Sequence, residues 1–339
     1  MENKLPTIKE IARRLNVSVS TVSRALNDNP RIGLRTRTAV QQLAKELNYE
    51  PNAKAIFFKQ KRTYVIGVIL PFIREDFFSA AISGIETAAM QHDYTILFGQ
   101  SYDNMEQEVR VVEAMKKQRV DGIIISLSKE TNSLQHLAAL EKYSIPVVYF
   151  DRVPRYAPAH KVFCNLYNST VEMVTWLVKQ GHKRIAFVNG PDKIAASKER
   201  LNGYIEGLSR KKMKVDMQLV ETTDLSREST WQAMEKFFSQ KHPPTAVISF
   251  NDYVHLDAVQ YAQHHHIDIN KTVAFVSYAN IPMTSYSAYP PVVSIEQHPL
   301  QQGQRAIEML INILSHKHDN TLQADHFFEE ELMGELIHH

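Results

Sequence analysis

The apolar residues near the start of the chain recur at helical spacing. Residues 8–15 carry one apolar stripe, and Thr7 and Glu10 have the spacing of a capping box, in which Thr7 caps the amide of Glu10 and Glu10 reaches back. A second stripe covers residues 19–26 and follows Ser18, a favourable N-cap. Two short helices joined by a brief turn form the pattern of a helix-turn-helix.

The second predicted helix contains the candidate DNA contacts. In a helix-turn-helix this helix lies in the major groove, with its first residues on base edges. Val19, Ser20 and Arg24 are therefore candidate base-reading residues. The wider candidate DNA surface adds Thr7, Ser18, Thr21, Ser23 and Asn27, of which the last three are candidate phosphate contacts. A third helix over residues 34–47 completes a small core. The alternative to DNA binding is that the serines and arginines only form the solvated faces of short amphipathic helices.

The charges are divided unevenly along the chain. Residues 1–62 contain 13 Lys and Arg against 5 Asp and Glu, a net charge of +8, whereas the remainder has a net charge of −6. A basic segment attracts a polyanion, and an acidic remainder limits nonspecific binding. The distribution therefore indicates double-stranded DNA as the partner of the first segment.

From residue 65 onward, β-branched apolar runs alternate with helical stretches, which is typical of parallel sheets covered by helices. The predicted strands are 65–70, 95–98, 122–125, 146–150, 161–164, 184–188, 218–220, 246–249, 273–276 and 292–295. Ten strands fit two sheets better than one, with the break near Asn165. A helix around residues 300–314 returns the chain to the first lobe. The expected lobes comprise about residues 63–163 with 294–325 and about residues 164–293 with 326–339.

Polar residues follow several of these strands. In such sheets a ligand binds at the carboxyl ends of the strands, and here it binds between the two lobes. We expect Ser126, Asp151 and Asn251 to converge on this crevice. Phe77 and Phe78 open the first helix of the first lobe and are candidates for its mouth, although one of them is as readily a core residue.

The composition narrows the class of protein. The chain has 339 residues, no apolar run that spans a bilayer and no apolar secretion signal at its start, so we expect a cytoplasmic protein. The single cysteine, Cys164, excludes an intramolecular disulfide framework. No dinucleotide-binding, phosphate-loop, zinc-protease or nucleophile-elbow motif is present, and three histidines at 264–266 are typical of a solvated face. Neither an enzyme, a cofactor nor a metal site is expected.

Three segments carry a resemblance to a known family. TIKEIARRLNVSVSTVSRALND, TRTAVQQLAKELNYEPNAKA and VIGVILP resemble the head of a lactose-repressor (LacI) family transcription regulator. The resemblance implies an all-α helix-turn-helix head over residues 1–50 and a hinge helix and linker over 51–62. It also implies an α/β two-lobed, type I periplasmic-binding-protein-like effector domain with parallel sheets over 63–339.

In that family, paired hinge helices enter the minor groove and insert an apolar side chain, usually leucine, into a central base step. The resemblance makes Asn52, Ala55 and Phe58 DNA contacts, with Phe58 at the inserting position. Phenylalanine side chains are known to insert between base pairs, so Phe58 can take the role of the usual leucine. The alternative is that Phe57 and Phe58 pack against the next domain.

The resemblance also gives effector-facing positions to Asp151, Arg200, Asn251 and Gln297. The guanidinium of Arg200 presents a fixed fork suited to vicinal hydroxyls, carboxylate or phosphate. The alternatives are an ion pair for Arg200, a strand-end cap for Asp151 and a helix N-cap for Asn251.

Two positions depart from the sugar-responsive members of the family. Ala279 stands where many members have an aspartate that binds two hydroxyls, and Leu225 stands where an aromatic platform is common. A neutral hexose is therefore a less secure effector than the family suggests. Lys198, close to Arg200, favours a phosphorylated or acidic ligand unless it is simply solvated.

These observations predict a transcriptional regulator, most consistent with a repressor, that binds a two-fold operator and responds to a small carbohydrate or sugar derivative between its lobes. A homodimer is expected, because one helix-turn-helix reads only a few base pairs. Two alternatives stay open: a regulator switched by a protein partner with a vestigial crevice, and an architectural DNA binder without site preference. No membrane association is expected.

Overall fold

The computed structural model describes residues 6–50, 62–154, 157–318 and 326–339. The chain divides into two compact units, with the boundary between Thr63 and Tyr64. The predicted hinge helix, with Asn52, Ala55 and Phe58, lies outside the described residues. Among the described residues, no helix is both long and apolar enough to cross a membrane.

The first unit is a set of three helices around a small apolar core. Its helices are α1 (Ile8–Arg14), α2 (Val19–Leu26) and α3 (Leu34–Glu46), as the apolar stripes predict. Ile11, Val22 and Val40 contribute one fully buried side chain from each helix. The hydroxyl of Ser18 accepts the amide of Thr21 at 3.0 Å, and this cap begins α2 as expected.

Only half of the predicted capping box forms at α1. Thr7 Oγ1 accepts the amide of Glu10 at 3.3 Å. The return contact is absent, because the carboxylate of Glu10 accepts a hydrogen bond from the Arg14 guanidinium at 2.6 Å, one helical turn away. The prediction for the Glu10 side chain is therefore wrong.

The second unit contains two six-stranded sheets. Its strands are β1 (Val65–Leu70), β2 (Thr95–Gln100), β3 (Gly122–Ile125), β4 (Val147–Phe150), β5 (His160–Asn165), β6 (Ile185–Asn189), β7 (Val220–Thr222), β8 (Ala246–Ser249), β9 (Ala274–Tyr278), β10 (Val293–Glu296), β11 (Glu329–Met333) and β12 (Glu335–His338). The orders are β11-β5-β4-β3-β1-β2 and β12-β10-β9-β8-β6-β7. Every described strand pairing is parallel except that of β12 with β10. Each of the ten predicted strands overlaps an observed one.

Helices cover both faces of each sheet. They are α4 (Asp76–Met90), α5 (Met105–Gln118), α6 (Gln135–Ala138), α7 (Leu166–Lys179), α8 (Ala195–Arg210), α9 (Arg227–Phe238), α10 (Asp252–His264) and α11 (Pro299–His318). The side chains of the central strands alternate between two apolar clusters in each lobe. Because both faces are buried, these strands appear in the sequence as continuous apolar runs.

Helices α4 and α11 approach so closely that glycine is required on both. A Cβ on Gly303 would lie 2.1 Å from the carbonyl oxygen of Ala81, and a Cβ on Gly84 would lie 2.0 Å from that of Leu300. Main-chain atoms cannot rotate out of the way, so any larger residue would force the helices apart. The contact holds the first turn of α11 against α4.

The chain crosses between the lobes after β5, after β10 and at Gly334, between β11 and β12. The prediction that residues 326–339 all belong to the second lobe is wrong, because β11 pairs with β5 in the first sheet. Only β12 joins the second sheet. Both are edge strands with exposed glutamates, so their sequence lacks the apolar run of a central strand.

Candidate DNA-binding surface and effector crevice

The candidate base-reading residues lie on the exposed face of α2. Val19 is 41% exposed, and Ser20 and Arg24 are exposed as well. The opposite face of the helix, with Val22 and Ala25, is buried in the core of the first unit. Within the described part of the chain, Arg24 makes no hydrogen bond and no ion pair. Its guanidinium is therefore available to the edge of a base.

The candidate phosphate contacts are partly engaged with one another. The hydroxyl of Thr21 lies 2.8 Å from that of Ser18, and the side-chain amide of Asn27 donates to the carbonyl of Ser23 at 2.8 Å. Ser18 stands at the N-terminus of α2, where the helix dipole favours a phosphate. Thr7 is exposed and caps α1. These contacts fix the side chains without burying them.

Two hydrogen bonds join the lobes of the second unit across the crevice. Lys129 Nζ donates to the carbonyl of Asp224 at 3.2 Å, and the amide of Asp76 donates to the hydroxyl of Tyr253 at 3.3 Å. Two cavities lie between the lobes, and residues of both lobes line each of them.

The larger cavity has a volume of about 370 Å³, which is enough for a small ligand. Its lining residues are Asp76, Phe77, Ala80, Ala279, Asn280, Ile281, Pro282, Glu296, His298, Pro299, Leu300 and Gln301. Phe77 is thus part of the crevice wall. Phe78 is 2% exposed and packs in the core, with its ring centroid 6.4 Å from that of Phe150. The prediction that Phe78 contacts the effector is therefore wrong.

The smaller cavity has a volume of about 20 Å³, which holds about one water molecule. Asp151 and Gln297 line it beside Cys164. The hydroxyl of Ser126 donates to the carboxylate of Asp151 at 3.2 Å. Burial raises the pKa of Asp151, while the nearby Arg152 and the Ser126 hydrogen bond act in the opposite direction. The structure thus brings together three of the predicted effector residues.

Arg200 is 4% exposed and held between two aromatic rings. Its guanidinium carbon lies 4.0 Å from the ring centroid of Phe250 and 4.2 Å from that of Tyr278, and the group donates to the carbonyl of Phe250. Among the described residues it forms no ion pair, so that alternative has no support. Burial lowers the pKa of Arg200, although Tyr278 and Asp151 favour its charged form. Its buried Nε has no hydrogen-bond partner among the described residues.

Three other predicted positions have structural roles or face elsewhere. The side chain of Asn251 accepts the amide of Val254 at 2.9 Å, which makes it the N-cap of α10 and supports the alternative for this residue. Lys198 is exposed and lies two residues from Arg200 on α8, so the two side chains point to different sides of the helix. The argument from Lys198 for an acidic ligand therefore fails. Leu225 packs against the core of the second lobe.

Asp252 follows Asn251 just past the end of β8, but the sequence did not indicate that it holds the loop after β9. Its buried carboxylate accepts the amide of Ile281 at 2.7 Å and the hydroxyl of Ser277. The loop needs such support because Ala279, at φ +96°, and Asn280, at φ +53°, are in the left-handed region. Burial raises the pKa of Asp252 to about 7. No local spacing reveals contacts between residues so far apart along the chain.

A second unforeseen carboxylate, Glu108, holds the loop that carries Lys129. It accepts the amide of Ser128 at 2.7 Å and the hydroxyl of Thr131 at 2.9 Å, and His136 Nε2 lies 2.9 Å from it. Lys129 therefore reaches the other lobe from a well-supported loop. No group of residues in the described ranges has the composition and geometry of a metal site.

Comparison with known proteins accounts for both units. Residues 7–52 match the family described as bacterial regulatory proteins, lacI family. Residues 63–331 match periplasmic binding proteins and the sugar binding domain of the LacI family. The chain belongs to the LacI family. The predicted helix-turn-helix head, the two-lobed type I periplasmic-binding-protein-like fold and the assignment to DNA-binding transcription regulators are thereby confirmed.

Relatives match the LacI-family chain over nearly its whole length. HTH-type transcriptional repressor CytR of Escherichia coli (strain K12) is 28% identical over 324 residues, covering 92% of this chain and 91% of CytR. HTH-type transcriptional repressor PurR of Escherichia coli O1:K1 / APEC is 29% identical over 317 residues, covering 93% and 92%. The lac repressor dimer bound to operator and the anti-inducer ONPF shares the fold, with a TM-score of 0.82, 24% identity and 98% of each chain covered.

Proposed function

We propose that this LacI-family regulator is a cytoplasmic repressor that binds a two-fold operator as a homodimer. It acts by binding rather than by catalysis. The observation that carries the proposal is the exposed Arg24, which has no side-chain partner among the described residues and lies beside Val19 and Ser20 on α2. It belongs to a segment of net charge +8. The likeness to CytR and PurR, both named transcriptional repressors, supports repression.

We propose a homodimer because one helix-turn-helix domain contacts only a short stretch of DNA. A single helix-turn-helix reads a few base pairs, whereas two heads on half-sites about one helical turn apart multiply the discrimination. Large exposed apolar side chains in the second unit, such as Met90 and Tyr286, offer surface for a subunit contact. In the dimer, Asn52, Ala55 and Phe58 of the hinge segment contact the minor groove.

We further propose that the crevice binds a small carbohydrate or sugar derivative. Phe77, Ser126, Asp151, Arg200 and Gln297 are the proposed contacts, and the cavity of about 370 Å³ favours a small ligand over a vestigial crevice. A ligand that binds one arrangement of the lobes more tightly shifts the population toward it. That shift then changes how readily the hinge segment orders on DNA.

The DNA-binding part of the proposal is tested by replacing one base-reading residue. DNA sites are selected from a random pool, and the affinity of the full chain for the selected site is measured by fluorescence anisotropy. Arg24→Ala should lose about 1–3 kcal/mol and relax the preference at one base position. Arg14→Ala is the matched control, because Arg14 is already paired with Glu10 on α1.

The outcomes separate the proposal from its alternatives. Enrichment of an inverted repeat, with a loss of affinity in Arg24→Ala but not in Arg14→Ala, supports a specific regulator. Equal affinity for selected and random DNA contradicts it and favours an architectural DNA binder. An unchanged affinity and base preference in Arg24→Ala contradicts the role of that residue.

A further inference from the structure

The wall of the crevice from the first lobe is rich in carboxylates. Glu75 and Asp76 stand side by side at the start of α4, and Asp76 lines the larger cavity. Burial raises the pKa of Glu75, and the negative charges of Asp103 and Asp151 raise it further against the opposing effect of Arg152. The groups of this wall are therefore near enough to influence one another.

The carboxylate of Asp76 is the least committed of these groups. It makes no hydrogen bond or ion pair in the described part of the chain. It lies in the first turn of α4, where the helix dipole favours a negative charge. Glu296 faces the same cavity but already accepts the side-chain amide of Asn280 at 2.9 Å and the amide of His298 at 2.6 Å.

The arginines near this wall, Arg74, Arg152 and Arg200, do not line either cavity. No lysine or arginine occurs among the described residues that line the two cavities. Arg152 is bound to Asp103 and lies over the ring of Phe78. Arg200 is fixed between Phe250 and Tyr278 and is not among the residues that line either cavity. A phosphate or carboxylate would therefore meet negative charge without a partner.

The rest of the larger cavity is suited to a ring. Phe77, Ile281, Pro282 and Leu300 contribute apolar surface, to which Ala279 adds a methyl group. Apolar surface together with the carboxylate of Asp76 complements a ring that carries a hydrogen-bond donor.

We propose that the effector is a small hydroxylated ring compound that carries an amine and neither a phosphate nor a carboxylate. Its amine binds the carboxylate of Asp76 in the larger cavity, and its ring packs against the apolar surface of Phe77 and Leu300. This rests on the proposed function of the crevice as the effector site. It replaces the acidic ligand that Lys198 suggested from the sequence.

The test uses matched sugars and the full chain. Glucosamine, glucose, glucose 6-phosphate and glucuronate are titrated in a thermal-shift assay and by calorimetry, together with the corresponding galactose and mannose sets. We expect an amino sugar to bind at least about tenfold more tightly than its neutral counterpart, as for one charge-assisted hydrogen bond. The phosphate and acid of the same set should give no shift in melting temperature.

Two variants of α4 locate the preference. Asp76→Asn should reduce the ratio of amine to neutral affinity to about one, whereas Glu86→Gln, on the exposed face of the same helix, should leave the ratio unchanged. Stabilisation by a phosphate or an acid alone, by neutral sugars alone, or by no compound of the panel would overturn the proposal. Operator affinity is measured on the same samples. If specific DNA binding is retained while the amine preference is absent, only the proposed effector class is wrong, and the proposed DNA-binding function stands.

Discussion

Replacing Asp252 by asparagine should stabilise the protein above neutral pH. The fully buried carboxylate accepts hydrogen bonds from Ile281 and Ser277 and thereby holds the loop that lines the larger cavity. Asparagine has the same shape. Its carbonyl can still accept the amide of Ile281, and its amide can donate to the hydroxyl of Ser277. The substitution therefore removes the ionisation while it keeps both contacts.

The size of the effect follows from the pKa of Asp252, which burial raises from 3.8 to about 7. Between these values the folded protein keeps a proton that the unfolded chain has lost, so the free energy of unfolding falls as the pH rises. Above about pH 7 the carboxylate of Asp252 is ionised in the folded protein although it is buried. The difference between the two pKa values corresponds to about 4 kcal/mol, which Asp252→Asn should recover.

The assay is urea unfolding followed by tryptophan fluorescence at pH 5 and pH 8. The chain has two tryptophans, Trp176 in α7 and Trp231 in α9, and both report on the lobe that contains Asp252. We expect a gain of up to about 4 kcal/mol for the variant at pH 8 and a gain smaller by about 3 kcal/mol at pH 5. Asp268→Asn, an exposed carboxylate of the same lobe, should show no such pH dependence. A loss of stability at both pH values would refute the reasoning, because the ionised carboxylate would then be the stabilising form.

Two further perturbations test the lobes. Lys129→Met removes the hydrogen bond to Asp224, which is worth about 1 kcal/mol. Small-angle X-ray scattering of the ligand-free protein should therefore give a larger radius of gyration for this variant than for the control Lys142→Met. Equal radii would mean that this contact does not hold the lobes together. Gly303→Ala places a Cβ 2.1 Å from a main-chain oxygen of α4 and should lower the free energy of unfolding by at least about 2 kcal/mol, measured by circular dichroism during heating. Gln304→Ala, at an exposed position of the same helix, should lower it little. A Gly303→Ala variant as stable as the unchanged protein would show that the helices can separate freely.

The fold was predictable where buried positions form a recognisable pattern of apolar residues in the sequence. The helices of the head follow from apolar stripes, and central strands such as β1 and β8 follow from continuous apolar runs, because both of their faces are covered. The edge strands β11 and β12 lack that trace, since one side of each faces solvent and carries glutamates. Their division between the two sheets is a property of the tertiary fold.

The positions of crevice residues that directly follow a strand were predictable from the sequence, and those of the other crevice residues were less so. Asp151 and Ser126 lie next to each other because they end neighbouring strands of one sheet. The sequence did not decide between Phe77 and Phe78, which differ only in which side of α4 they occupy. Lys198 was misjudged, because nearness to Arg200 along a helix does not place two side chains on one face. The role of Asp252 could not be predicted, because its partners are brought to it only by the folded lobe.

The central claim is that a ligand in the crevice controls the DNA-binding head. Its most direct test is the operator affinity of the full chain, measured with and without a saturating amount of the sugar that stabilises it. We predict a change of at least about fivefold, with an equal change in sugar affinity when the operator is bound, because the coupling between two sites is reciprocal. An operator affinity that is the same with and without the bound sugar would contradict the account.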